Sequence, residues 1–201
     1  AMGPADRVLQ SVQLNWTYTL GVGLMDPWAH GATAVLYAGP RDPSIWPVLI
    51  ERSEATIFAA VPTVYRQMLK YGTLTRDRLR SLRHGLTAGE ALPPALTHRW
   101  FDAADLPLYE ALGMSEVSTY ISSGPDTPLR LGSPGRPQPG RRITVLPLDG
   151  GTEPLAPGDI GVIAVHRDEA GLMLGYWNRP DDMAAAWRGD WFITGDLARV
   201  D

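Results

Sequence analysis

Cysteine is absent from the 201 residues, so the chain has no disulfide framework, thiolate zinc site or catalytic thiol available to it. Its four histidines, His30, His84, His98 and His166, lie too far apart to form a metal pair, and each is expected at the surface or at a helix end. Basic runs are missing too. Arg76, Arg78, Arg80 and Arg83 are interleaved with Asp77 and apolar residues, and the net charge is −4, which argues against nucleic acid as a partner. The longest apolar window, residues 20–28, is too short to cross a bilayer and contains Asp26, so no membrane span is expected. No basic segment followed by an apolar one opens the chain, and a cytoplasmic location is the expectation. Ala1 and Met2 read as a cloning remnant around a start codon and are left out of the fold reading.

What is present suffices for a sizeable core without metals or crosslinks, in one ordinary domain or two small ones. Residues 6–108 alternate between helical periodicity and short apolar strands, the pattern of a layered α/β unit. Residues 16–30 carry Leu20, Leu24 and Trp28 at spacing four and end at Gly31, which predicts a helix. A strand is predicted over 33–37. Ser44 is placed to cap the next helix, with Pro47 in its first turn. Residues 56–61 read as a strand stopped by Pro62, with Thr63 capping a helix to about Lys70. Residues 81–87 form the next strand, and Pro93-Pro94 open a helix bearing Leu96, Trp100 and Phe101. A last strand over 106–112 completes the series.

After Ser122 glycine and proline punctuate short strands. Residues 142–146 and 160–166 alternate in period two, which predicts a small antiparallel or barrel-like unit. A short helix over 181–187 and a short strand over 191–193 follow. The expected division is an α/β sheet subdomain over 1–125 and a β-barrel-like subdomain over 126–201. Trp177 and Trp191 are assigned to packing.

Three glycine turns carry carboxylates: Ala88-Gly89-Glu90-Ala91, Gly113-Met114-Ser115-Glu116 and Thr194-Gly195-Asp196. The first two follow strands and are expected at the same edge of one sheet, where open α/β sheets hold ligands. Ser115 and Glu116 taken alone also suit a helix start, as N-cap and first-turn acid. With no Lys or His beside them, the turns make a poor nucleophilic or general-base site. They suit ribose hydroxyls or a metal-bound phosphate, and a carboxylate beside polyphosphate makes sense with a cation between them.

The segments SLRHGLTAGEALP, LYEALGMSE, LGSPGRPQPG, LGYWNRP and WFITGDLARVD, in this order and spacing, resemble the adenylate-forming enzymes. That family includes acyl-CoA synthetases, aryl-CoA ligases, luciferases and the adenylation domains of peptide synthetases. The likeness is greatest to acetyl-, medium-chain acyl- and benzoate-type CoA ligases. It implies a fragment of the large N-terminal domain and a two-step reaction: a small carboxylic acid plus ATP gives an acyl-adenylate and pyrophosphate, then CoA gives a thioester and AMP. By the same resemblance Gly89, Glu90 and Ala91 would line the adenine site, largely through backbone, and Leu112 would lie against the adenine face. Ser115 would bond phosphate oxygens, Glu116 would hold Mg²⁺ and Asp196 would accept the ribose hydroxyls. The acyl pocket would draw on Asn15, Trp16, Ala88, Ala111, Gly113 and Ser118, with Trp16 equally readable as a core aromatic at a helix entrance.

Two departures are conservative: Leu112 stands where many members have an aromatic, and Ser115 where Thr is usual. A third is larger. No Ser/Thr/Gly-rich phosphate loop ending in Pro-Lys occurs in the sequence, and the family's hinge, second ribose-contacting Arg and small C-terminal domain with its Lys would lie beyond Asp201. The fragment is therefore expected to be inactive alone, with an apolar surface, left by a missing subdomain, through which it self-associates. Two other readings stay open: a truncated, non-catalytic nucleotide or partner binder, and part of an adenylation domain that loads a carrier protein.

Overall fold

A computed structural model describes residues 2–40, 42–127 and 129–201; Ala1, half of the expected cloning remnant, lies outside the described residues. The chain packs as two compact units, one built from residues up to Gly113 together with Ile121–Arg136, the other from Met114–Tyr120 and Pro137–Asp201.

The first unit is a parallel sheet in the order β2-β1-β3-β4-β5. Its strands are β1 (Arg7–Gln10), β2 (Thr33–Val35), β3 (Ile57–Ala60), β4 (His84–Ala88) and β5 (Leu108–Met114). Helices α3 (Ile45–Ser53), α4 (Pro62–Tyr71) and α5 (Pro94–Ala104) alternate with the strands. Each begins with a proline within its first turns, where the missing N–H costs no helical bond. The strands are short and β3 is buried throughout, as a sheet covered on both faces requires.

The core runs through a file of aromatic rings. Trp46 meets Phe58 at 5.8 Å, Phe58 meets Tyr65 at 5.5 Å, and Tyr65 meets Trp100 edge-on at 4.8 Å. The Tyr65 hydroxyl donates to the Phe58 carbonyl at 2.6 Å and reaches that of Leu86 at 3.1 Å, so the buried phenol is satisfied at the sheet. Gly85 leaves the room it needs: a Cβ there would lie 2.5 Å from that hydroxyl.

The predicted helix over 16–30 is built in three turns, α1 (Thr17–Leu20), a π-helical stretch Gly21–Met25, and α2 (Asp26–Ala29), closed by Gly31 at φ +69°. Its buried face is not the apolar stripe. Thr19, Gly23 and Pro27 face inward while Leu20 and Trp28 are exposed, because the helix approaches β1 so closely that a Cβ at Gly23 would sit 2.5 Å from Gln10. Thr63 is not the cap expected at α4. Val61 occupies that place, and the Thr63 hydroxyl donates instead to Glu90 Oε1 at 2.9 Å. His84 corrects the surface expectation for the histidines: it is buried on β4, edge-on to Tyr109 at 5.2 Å. Burial lowers its pKa to about 4.

Strands β6 (Ser118–Ser122) and β7 (Arg136–Pro137) lie where the chain passes between the units. The second unit holds a four-stranded antiparallel sheet, with β8 (Ile143–Leu146), β9 (Gly161–His166), the short β10 (Trp187–Arg188) and β11 (Trp191–Ala198) in the order β10-β11-β9-β8. Helix α6 (Pro180–Ala185) precedes β10. Leu146, Val162 and Ala164 form the apolar core of this sheet, with Trp191 and Ile193 packed against it. Trp191 is thus a packing residue, whereas Trp177 is 89% exposed and packs little. The fold is mixed α/β, as the sequence predicts.

Candidate functional site

In the first unit, β4 and β5 are neighbours in parallel register, Ala88 opposite Ala111, so the segments after both strands leave one edge of the sheet. Gly89 follows β4 at φ +91°, a conformation that favours glycine, and a Cβ there would lie 2.5 Å from the Trp16 ring. That close approach brings Trp16 and the Ala88–Gly89 step together. Trp16 also packs on Tyr18 at 5.3 Å. Asn15 is exposed, Ala88 is buried, and Ala111 and Leu112 are half-buried on β5.

Glu90 and Ala91 are exposed, and the Glu90 carboxylate is occupied by the Thr63 hydroxyl and, at 3.3 Å, the Thr63 N–H. The turn ends at Leu92, whose N–H donates to Glu110 Oε1 at 2.9 Å. Glu110 was not singled out from the sequence. Its own N–H donates to Ser123 Oγ at 2.8 Å, and burial raises its pKa, an effect the Leu92 hydrogen bond partly offsets. A cavity of about 20 Å³, room for one water, opens beside Glu110 and Ser123. Its only sequence signal is a carboxylate inside an apolar strand.

The sequence places a tight turn at Gly113, but β5 runs on through Gly113 to Met114, and the turn is made by residues 115–117, with the Val117 N–H donating to the Met114 carbonyl at 3.2 Å. No helix follows, which removes the N-cap reading of Ser115. Ser118, at φ +67°, turns the chain into β6. Ser115 and Ser118 are exposed and Glu116 is half-buried.

The second unit brings this turn together with the segment before α6. The Tyr176 hydroxyl donates to Glu116 Oε1 at 2.9 Å, and the Met173 N–H donates to the Glu116 carbonyl at 2.7 Å. Burial and the Glu116 carboxylate raise the Tyr176 pKa, which keeps the phenol a donor.

Asp196 lies within β11 rather than in a turn after a short strand. Ile193 pairs with Ala164 and Leu197 with Val162, so residues 194–196 bulge opposite Ile163 alone. The Thr194 hydroxyl donates to the Ile163 carbonyl at 2.9 Å and Gly195 takes φ +84°, which turns the exposed Asp196 outward. The buried Tyr120 hydroxyl donates to Asp196 Oδ2 at 3.2 Å; burial and the Asp196 charge raise its pKa.

Among the described residues no group of three or more His, Asp or Glu side chains is arranged to hold a metal ion, and no helix is long and apolar enough to cross a membrane. Mg²⁺ does not need such a cage, since one or two carboxylates plus substrate phosphates commonly hold it. Glu116, a lone carboxylate oriented by a phenol, fits that manner of binding.

The AMP-binding enzyme family matches residues 1–177. Among curated relatives, 3-hydroxybenzoate–CoA ligase of Aromatoleum sp. (strain CIB) is 30% identical over 98% of this chain and 37% of its own length. The human mitochondrial acyl-coenzyme A synthetase ACSM3 is 28% identical over 98% of this chain and 34% of its own length. The chain thus spans little more than a third of these relatives. Among solved structures, the anthranilate CoA ligase AuaEII in complex with anthranoyl-AMP superposes with a TM-score of 0.88 at 30% identity, covering 100% of this chain and 38% of that one. ATP-bound MatB from Rhodopseudomonas palustris gives 0.91 at 26% identity, covering 100% and 39%. The motif order, the fold and these likenesses agree, and the chain belongs to the AMP-binding, adenylate-forming enzymes.

Proposed function

We propose that the chain is part of an ATP-dependent, AMP-forming acyl- or aryl-CoA ligase. The observation that supports this most is the pairing of two of the three carboxylates with phenols, Glu116 with Tyr176 and Asp196 with Tyr120, at the positions where the family resemblance puts phosphate-metal and ribose contacts. A phenol donor holds a carboxylate in one orientation without neutralising it, which suits a group that must accept from hydroxyls or meet a cation.

In this reading Gly89, Glu90 and Ala91 present backbone to adenine, and Leu112 gives it an apolar contact. Asp196 accepts from the ribose hydroxyls. Ser115 donates to phosphate oxygens, and Glu116 holds Mg²⁺, which when bound spreads the charge that develops at the α-phosphate. Trp16, Ala88, Ala111, Gly113, Ser118 and Asn15 shape the space for the acid. The relatives' printed names, a 3-hydroxybenzoate–CoA ligase and an acyl-coenzyme A synthetase, favour an aromatic or other carboxylic acid as substrate and CoA as acceptor. The 201 residues by themselves are expected to be inactive, because the phosphate-loop motif is not among them.

ATP–pyrophosphate exchange with a carboxylate panel, on the longer reading frame, tests the activity; failure with every acid would sink the ligase reading. Calorimetry with AMP tests the nucleotide contact on this chain. Measurable binding in the parent sequence and its loss in Asp196→Ala is the expected result, whereas equal binding by both would remove Asp196 from the ribose role.

A further inference from the structure

We propose that Arg141 and Glu169 are positioning residues that set the turn presenting Glu116; this rests on the metal-holding role proposed for Glu116. The two side chains form an ion pair at 2.8 Å, with the Glu169 side chain 3% exposed and that of Arg141 20%. So deep a carboxylate is costly unless its lone pairs are filled. They are: Oε1 accepts from Arg141 Nη1 and from the Gly171 N–H at 3.1 Å, and Oε2 accepts from the Arg142 N–H at 2.8 Å. These bonds, with the guanidinium charge, hold the Glu169 pKa below the usual carboxylate value even though burial, the largest single influence, pushes it up.

The pair does more than fill itself. Arg141 Nη2 donates to the Thr119 carbonyl at 2.7 Å, three residues beyond Glu116, so one planar fork spans the buried carboxylate and the far side of the turn. On the near side, the segment that Glu169 anchors supplies the Met173 N–H to the Glu116 carbonyl and the Tyr176 hydroxyl to its carboxylate. The turn is therefore gripped at Glu116 and at Thr119 by groups that share one anchor. Gly171 is part of the fit, since a Cβ there would run into the Arg141 guanidinium and come within 3.1 Å of the Val117 carbonyl.

Arg141→Lys separates positioning from mere support. Lysine keeps a charge for Glu169, but its single ammonium cannot span the two acceptors. Backbone resonances and amide exchange would be followed by NMR in the 201-residue chain and in Arg141→Lys, Glu169→Gln and Gly171→Ala, with β9 amide protection as the control for folding. In Arg141→Lys the Arg142 and Gly171 amides are expected to keep their protection, while residues 115–119 shift and exchange at least tenfold faster. Glu169→Gln is expected to loosen both sets. Unchanged resonances and exchange at 115–119 in Arg141→Lys would overturn the proposal, and if Glu169→Gln does not fold, Arg141→Lys still decides it. Gly171→Ala is expected to shift residues 115–119 in the same way, because its methyl group meets the Arg141 guanidinium. Mn²⁺–ATP binding, read by water-proton relaxation, is expected to weaken about tenfold in Arg141→Lys. Absence of Mn²⁺–ATP binding in the unmodified chain would count against the metal role of Glu116, whereas a loosened turn with unaltered Mn²⁺–ATP affinity would count against Arg141 alone.

Discussion

At the scale of single residues, burial and close approach decide what a side chain does more than its type. His84 looks like a switch but is held neutral between Tyr109 and the sheet, with a pKa near 4. Because the folded value lies below the unfolded value, the unfolded chain binds the extra proton first. The stabilisation from His84 is therefore present above pH ~6.5 and lost as the pH falls from there towards 4. Chemical denaturation of the chain and of His84→Gln at pH 7.5 and 5 checks this. The parent sequence should lose about 1 kcal/mol more than the variant between those pH values, half of the full linkage value once partial solvation is discounted. Gly89 makes the second case. Gly89→Ala forces a side chain into φ +91° and onto the Trp16 ring, and should cost about 1–3 kcal/mol in urea unfolding. In the proposed site it should also abolish AMP binding, measured by calorimetry.

At the scale of elements, the packing of strands and helices turns exposed polar residues into connectors. The Glu90 carboxylate takes the N–H and hydroxyl of Thr63 in the first turn of α4. Acidic groups are favoured at that end of a helix. Glu90→Ala should cost about 0.5–1 kcal/mol of stability, seen as a lower urea midpoint without a change in slope. A larger penalty belongs to Gly85, where β4 passes beneath Tyr65. Gly85→Ala should destabilise by about 1–3 kcal/mol through overpacking, and Tyr65→Phe in the same background should relieve part of it.

At the scale of the molecule, the first unit exposes Leu20, Met25, Trp28 and Leu36 near its edge strand β2. Large apolar side chains exposed beside an edge strand favour association. Sedimentation of the 201-residue chain is expected to show concentration-dependent self-association, reduced in the double variant Leu20→Glu, Trp28→Glu; a monomer at all concentrations would refute it. The sequence alone determined the βα alternation over residues 33–112, the expectation that the turns after residues 88 and 112 share one edge of a sheet, and the family, because periodicity, proline, glycine and motif order are local signals; it did not mark β1, β6 or β10. It did not determine which face of the helix after Trp16 is buried, since the apolar stripe competes with a close backbone approach that only Gly23 and its neighbour Gln10 reveal. Nor did it show that Asp196 sits on a bulge, that Glu116 and Asp196 each receive a phenol, or that Arg141 and Glu169 grip the Glu116 turn. Those partners lie tens of residues apart along the chain, and only tertiary packing brings such donors and acceptors within hydrogen-bond reach.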